Sequence, residues 1–152
     1  MSSTFSAPIR VNTRQTTSND GTISADNTGA AVLTQQVAFT SSNTASVVIP
    51  AGSIIHFIQG YVNDAATSRT LSLTVNGVTT SIGTLSTTPL GLKSATITQS
   101  NAVADLLANV GPYNCTVNLG SEAGSAGTLS VMYTARNADG TIAPYGSGYT
   151  NN

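Results

Sequence analysis

Two alternating runs meet at the dipeptide Asn76-Gly77, and that junction constrains the fold more than any other feature of the chain. A two-residue type I′ turn needs positive φ at both central positions, which Asn and Gly tolerate best. So short a loop sets the register: Val75 opposite Val78, Leu73 opposite Thr80, and Leu71 opposite Ile82. The resulting pairs are mostly apolar on one side, as a sheet face lying over a core requires.

The same period of two recurs along the chain. In residues 127–136, Leu129, Val131, Tyr133 and Ala135 share one face, while Ser130, Thr134 and Arg136 take the other. Tyr113, Cys115, Val117 and Leu119 alternate against Asn114, Thr116 and Asn118 in the same way. Further strands are predicted at residues 31–40, 45–49, 54–62 and 94–99, about eight in all. One helix interrupts them, with Asn101 as its N-cap, an apolar stripe of Val103, Leu106, Leu107 and Val110, and Gly111-Pro112 as its stop. The expected fold is all-β: a single antiparallel β-sandwich, jelly-roll or immunoglobulin-like, with one short helix.

A chain of 152 residues fits one domain able to bury a core without disulfides, and its single cysteine allows no internal bridge. Residues 1–28 are polar and turn-rich, with Phe5, Ile9, Val11 and Ile23 as the only large apolar anchors, and read as an extended N-terminal arm. Residues 29–136 form the sandwich. Residues 137–152 return to the polar composition, carry Tyr145 and Tyr149, and read as a C-terminal tail. Both ends contain the tetrapeptide DGTI, which is too short to mark a repeat because Asp-Gly is a common turn dipeptide. Such segments either stay mobile or lie along a partner's surface, the second where the partner is permanent.

Charge is scarce: five basic and six acidic side chains, 7% of the residues, against about 25% in an ordinary domain. Solvation must come from hydroxyls and amides, and the repulsion that keeps monomers apart is missing. A net charge of −1 argues against a nucleic-acid partner. The most apolar stretch, residues 47–62, is broken by Pro50, Gly52, His56 and Gln59 and is too short to cross a bilayer, so no membrane partner is expected. The opening residues lack an apolar signal region, and export by that route is not expected either.

Candidates for chemistry are few. His56 is the only histidine and lies among apolar neighbours, which reads as a packed or interface residue rather than a general base. Cys115 alternates with Tyr113 and Val117 and reads as a small core residue. The acids Asp20, Asp26, Asp64, Asp105, Glu122 and Asp139 are scattered, with Asp64 and Asp139 placed for Asx turns. The run GSEAGSAG at residues 120–127 lacks the Lys and Ser/Thr of a phosphate loop and reads as a flexible connector. No catalytic, cofactor-binding or metal-ligating residue is predicted, and the chain is expected not to be an enzyme.

Contact residues are the more informative candidates. If Ile58 and Val62 point inward, Phe57 and Tyr61 alternate outward, either as an aromatic pair for another subunit or covered by another part of the same chain. Arg10 and Arg14 place two guanidinium forks on the N-terminal arm, where they either stay solvated or take carboxylates of a neighbouring surface. With Phe5 on the arm and Tyr145 and Tyr149 on the tail, these residues make up the expected interface.

Three stretches carry a likeness. In SVVIPAGSIIHFIQGYVNDAATSRTLSLT, residues 46–74, an apolar strand runs through a Pro-Ala-Gly turn into a second apolar strand, a Thr/Ala-rich loop and an alternating strand. AGSAGTLSVMYTARN supplies a closing strand behind a Gly/Ala loop, and the opening SAPIRVNTRQTTSNDGTISADNTGAAVLTQQVAFT is polar and Gly/Thr-rich. Together they resemble small structural proteins of tailed bacteriophages. The resemblance implies a non-enzymatic virion component without cofactors, a capsid decoration or cement protein on the capsid exterior. Its partners would be the major capsid protein or other virion subunits. It also implies a homo-oligomer, a trimer in the usual arrangement, with termini that bridge capsomers. His56, Phe57 and Tyr61 depart from the small or acidic residues expected in that strand, which points to a specific contact there. A tail- or fibre-associated β-domain of a phage would share this composition. A bacterial surface adhesin would share the Thr-rich sheets but should carry an export signal and a cysteine pair, and a carbohydrate-binding module is disfavoured by the absence of Trp.

Overall fold

The computed structural model describes residues 32–136. The N-terminal arm and C-terminal tail lie outside them, as do Phe5, Arg10, Arg14, Asp139, Tyr145 and Tyr149. The described chain runs β1 (Val32–Phe39), β2 (Ala45–Ile49), β3 (Ile54–Asp64), β4 (Ser68–Val75), β5 (Val78–Ser86), β6 (Gly91–Ser94), β7 (Thr96–Ile97), α1 (Asn101–Ala108), β8 (Cys115–Leu119) and β9 (Ala126–Thr134).

Four antiparallel pairings nest one inside the next: β4 with β5, β3 with β6, β2 with β8, and β1 with β9. They describe one long two-ply ribbon whose tip is the Asn76-Gly77 turn. Rolling the ribbon brings β9 beside β3 and β8 beside β4. The products are a four-stranded sheet, β1-β9-β3-β6, and a five-stranded sheet, β2-β8-β4-β5-β7. This nesting is the jelly-roll arrangement, so the sandwich takes that topology and not the immunoglobulin one.

The inward phase of each strand fills the space between the sheets. Leu71 and Leu73 from β4, Ile82 and Leu85 from β5, Val117 and Leu119 from β8, and Leu129 and Val131 from β9 are all fully buried. Each contributes about 1.5–3 kcal/mol of hydrophobic stabilisation. Tyr133 joins them, its hydroxyl accepting a 3.0 Å hydrogen bond from Gln35 Nε2.

The tip hairpin follows its predicted register for Val75 with Val78 and Leu73 with Thr80, but Leu71 faces Gly83. A β-bulge between Leu71 and Ser72 shifts the pairing, and Ile82 still points inward. Gly83 makes this possible: its φ is +152°, and a Cβ there would collide with the Thr96 carbonyl oxygen of β7. The stretch expected as one strand at residues 94–99 is instead divided. β6 pairs with β3 in one sheet and β7 with β5 in the other, so the chain changes sheets at Ala95.

The N-cap of α1 is Ser100, one residue before the Asn101 expected from sequence; its extended backbone lets Oγ accept the Val103 amide. Tyr113, expected inward, is exposed, because β8 begins only at Cys115. The preceding Asn114 turns its side-chain oxygen to the Ala51 amide. Asp64, expected in an Asx turn, ends β3 opposite Ala126.

Candidate interaction face

Because Ile58, Val62, Leu129 and Val131 point into the core, the alternate residues of the four-stranded sheet form its outer face. The register arranges them in three rows across the strands. One row reads Thr34, Met132, Phe57; the middle row reads Gln36, Ser130, Gln59, Ser94; the third reads Ala38, Thr128, Tyr61, Leu92. Phe57 is 60% exposed, Tyr61 59% and Leu92 66%, and Val32 extends the apolar surface at the start of β1. The middle row is polar but neutral, with Gln36 Nε2 donating to Ser130 Oγ at 2.9 Å. None of these positions carries an acidic or basic side chain. A shallow, open depression runs over the middle row towards Tyr61 and Leu92.

The outer face of the five-stranded sheet is built differently. Its rows read Ser46, Asn118, Ser72, Ser81 and Val48, Thr116, Thr74, Thr79. Hydrogen bonds of 2.9 Å link Ser46 Oγ to Asn118 Oδ1, Asn118 Nδ2 to Thr74 Oγ1, and Thr74 Oγ1 to Thr79 Oγ1. These four side chains link four strands.

The charges lie elsewhere. Arg69 continues the inward phase of Leu71 and Leu73 and is fully buried at one end of the sandwich. Its guanidinium donates to the carbonyls of Thr40, Asn43, Gly120, Glu122 and Ser125 at 2.6–3.2 Å, and Nε donates to Ser125 Oγ at 2.7 Å. The Phe39 ring lies against it, 4.7 Å from ring centre to guanidinium carbon. Burial lowers its pKa, an effect opposed by the nearby negative charge of Glu122. One cation thus holds the β1–β2 loop and the β8–β9 loop onto β4. Residues 120–125 are therefore a pinned loop, with 126–127 already in β9, rather than the flexible connector expected of 120–127. Gly120 and Gly124 amides also bond Thr70 O and Ser41 Oγ.

Glu122 completes that end. Its carboxylate accepts from the Thr67 and Ser68 amides and from the Thr67 and Thr87 hydroxyls. Desolvation raises its pKa, but these hydrogen bonds to the charged form outweigh it and hold the carboxyl down at about 2. At the opposite end Arg136 donates to Gly52 O and to Ala108 O, the latter at the C-terminus of α1.

The residues weighed for chemistry do not come together. His56 is not packed among apolar side chains: it is the extra residue of a bulge between Ile55 and Phe57, exposed, with Nε2 2.8 Å from Thr134 Oγ1. Cys115 is fully buried, and desolvation pushes its thiol up to about 11, far from a reactive thiolate. Among the described residues no three His, Cys, Asp or Glu side chains converge as metal ligands, and no helix is long and apolar enough to cross a membrane.

Of the predicted contact residues, Phe57 and Tyr61 share the outer face of the four-stranded sheet, on the first and third rows. Leu92, Met132 and Val32 complete that surface and are absent from the sequence-based set. Met132 is readable, since it falls between inward Val131 and Tyr133; Leu92 sits on a four-residue strand too short to show a period. No protein-family model and no curated protein matches the chain.

Proposed function

We propose that this chain is a non-enzymatic structural subunit of a tailed-bacteriophage virion, a decoration or cement protein held on the outside of the capsid. The observation that carries this reading is the outer face of β1-β9-β3-β6, whose three rows hold no acidic or basic side chain and expose Phe57, Tyr61 and Leu92. Depletion of charge around exposed aromatic and aliphatic side chains is the composition of a protein contact surface. The jelly roll agrees with the reading without selecting it, since one fold serves many functions. The two chain ends support it further. Val32 pairs with Thr134, so the described chain begins and ends at one corner of the sandwich. A subunit that binds only the assembled shell stabilises it by mass action, which is how a cement protein works.

Cryo-electron microscopy of purified particles tests the assignment. Density for the sandwich at repeated positions on the capsid surface is expected. Density confined to the tail would move the protein to a tail-associated role, and its absence from particles would sink the virion reading. Deleting residues 1–28 should weaken particle binding; unchanged affinity would remove the arm from the attachment.

A further inference from the structure

We infer that the outer face of the four-stranded sheet is covered by a second copy of this chain, packed face to face about a two-fold axis. The inference rests on the reading of this surface as a protein contact face and deepens it by naming what occupies it.

The layout of the face is self-complementary. Its middle row, Gln36, Ser130, Gln59 and Ser94, is flanked by the Met132–Phe57 row on one side and the Tyr61–Leu92 row on the other. A two-fold axis lying in the face along the middle row sets that row on itself and the Phe57 row on the partner's Tyr61 row. An axis parallel to the strands sets every row on itself. Either way, apolar rows meet apolar rows, while amides and hydroxyls, each both donor and acceptor, meet their own kind. A foreign partner would need none of this internal matching.

Charge and size agree. With no acidic or basic group in the three rows, two copies bring no like charges together, and the formal net charge of −1 adds little repulsion between them. Strands ~4.8 Å apart and a rise of ~3.3 Å per residue make the patch on the order of 20 Å by 20 Å. Side-chain relief raises its accessible area above that plan area, towards the ~800 Å² per partner of a standard stable interface. Sheets stack face to face at ~10 Å, so the pair would repeat outside the sandwich the packing that forms its core. The paired arrangement differs from the trimer that the phage resemblance implies.

The test uses the full-length chain alone, by multi-angle light scattering behind size exclusion and by sedimentation. The wild type should run at twice the 15.3 kDa chain mass. The double variant Phe57→Ser, Tyr61→Ser should raise the dissociation constant by about 100-fold or more, as loss of two interface anchors does. Circular dichroism should show its fold unchanged. Val48→Ser, on the outer face of the other sheet, should leave the pair intact. A monomeric wild type, a trimer, or a dimer indifferent to the double variant would overturn the inference. A monomer that still decorates shells leaves the proposed function standing without the pairing; a dimer that ignores shells does the reverse.

Discussion

The buried end around Arg69 and the outer face around Gln59 are both mostly neutral surfaces of the same sandwich, yet they use polarity in opposite ways. At the Arg69 end one buried cation and one carboxylate gather main-chain groups from three loops. In the three rows of the face no acidic or basic group intervenes, and the polar row is bounded by exposed Phe57, Tyr61 and Leu92 and by Met132. The contrast shows where a chain with so little charge places it. Among the described residues Arg69, Glu122 and Arg136 tie loops down, and little charge is left to hold copies apart.

The largest expected effect therefore lies at Arg69. Arg69→Met would strip hydrogen bonds from five carbonyls around the guanidinium, and each buried polar group left unsatisfied costs about 1–3 kcal/mol before water or relaxation relieves it. A loss of about 3–5 kcal/mol in urea denaturation is expected, among the large values for single substitutions. Arg69→Lys should recover only part of it, because an ammonium has three donors and no planar fork. A loss below about 1 kcal/mol would mean that the loops hold themselves and that the two regions differ less than their contacts indicate.

Glu122 comes next. Glu122→Gln keeps the shape but removes a charged acceptor from two hydroxyls and two amides, and about 1–2 kcal/mol is expected. The pH dependence has a definite sign. The folded carboxyl titrates at about 2, below its ordinary value of 4.5, so the folded state binds the proton less readily than the unfolded chain. The stabilisation is complete above pH 4.5 and is lost as pH falls towards about 2. Denaturation midpoints of wild type and Glu122→Gln should therefore converge across that window; a constant separation down to the folded pKa would place the effect in packing instead.

How much of this is legible in the sequence follows from range. Alternation and the Asn76-Gly77 turn are local, and they give the strands, the helix and the outward phase of Phe57 and Tyr61. Irregularities in the pairing with another strand are not local: Gly83, next to the bulge of the tip hairpin, sits where a Cβ would meet the β7 backbone, and the bulge at His56 interrupts the pairing with β9. The role of Arg69 has a signal, a cation in the same phase as Leu71 and Leu73. Its partners lie 26 to 56 residues away in sequence, and only the folded loops bring them together. The GSEAGSAG loop misleads for that reason, since its glycines speak of freedom and its anchor sits on another strand.

On the outer face of the five-stranded sheet the expected effect is smaller again. Thr74→Val removes the hydroxyl that links Asn118 to Thr79, but the site is partly open to water and valine suits a strand. A change within about 1 kcal/mol is expected from chemical denaturation.

The smallest effect on folding, and the sharpest test of the contrast, belongs to Gln59 in the middle row of the interaction face. Gln59→Glu and Gln59→Lys each add a charge where the native surface has none. Because the side chain points outward, monomer stability should shift by no more than about 0.5 kcal/mol. Association should respond far more strongly, since a two-fold axis near the middle row brings like charges close together in a desolvated contact. Each variant alone should run as a monomer. Mixed in equal amounts, the two should pair again as a heterodimer, because the same axis now sets the introduced carboxylate of one copy near the introduced ammonium of the other. Restoration only on mixing requires copies to meet across this face, and light scattering of the single and mixed samples reads it directly. If both variants associate as the wild type does, the face is not where the copies meet.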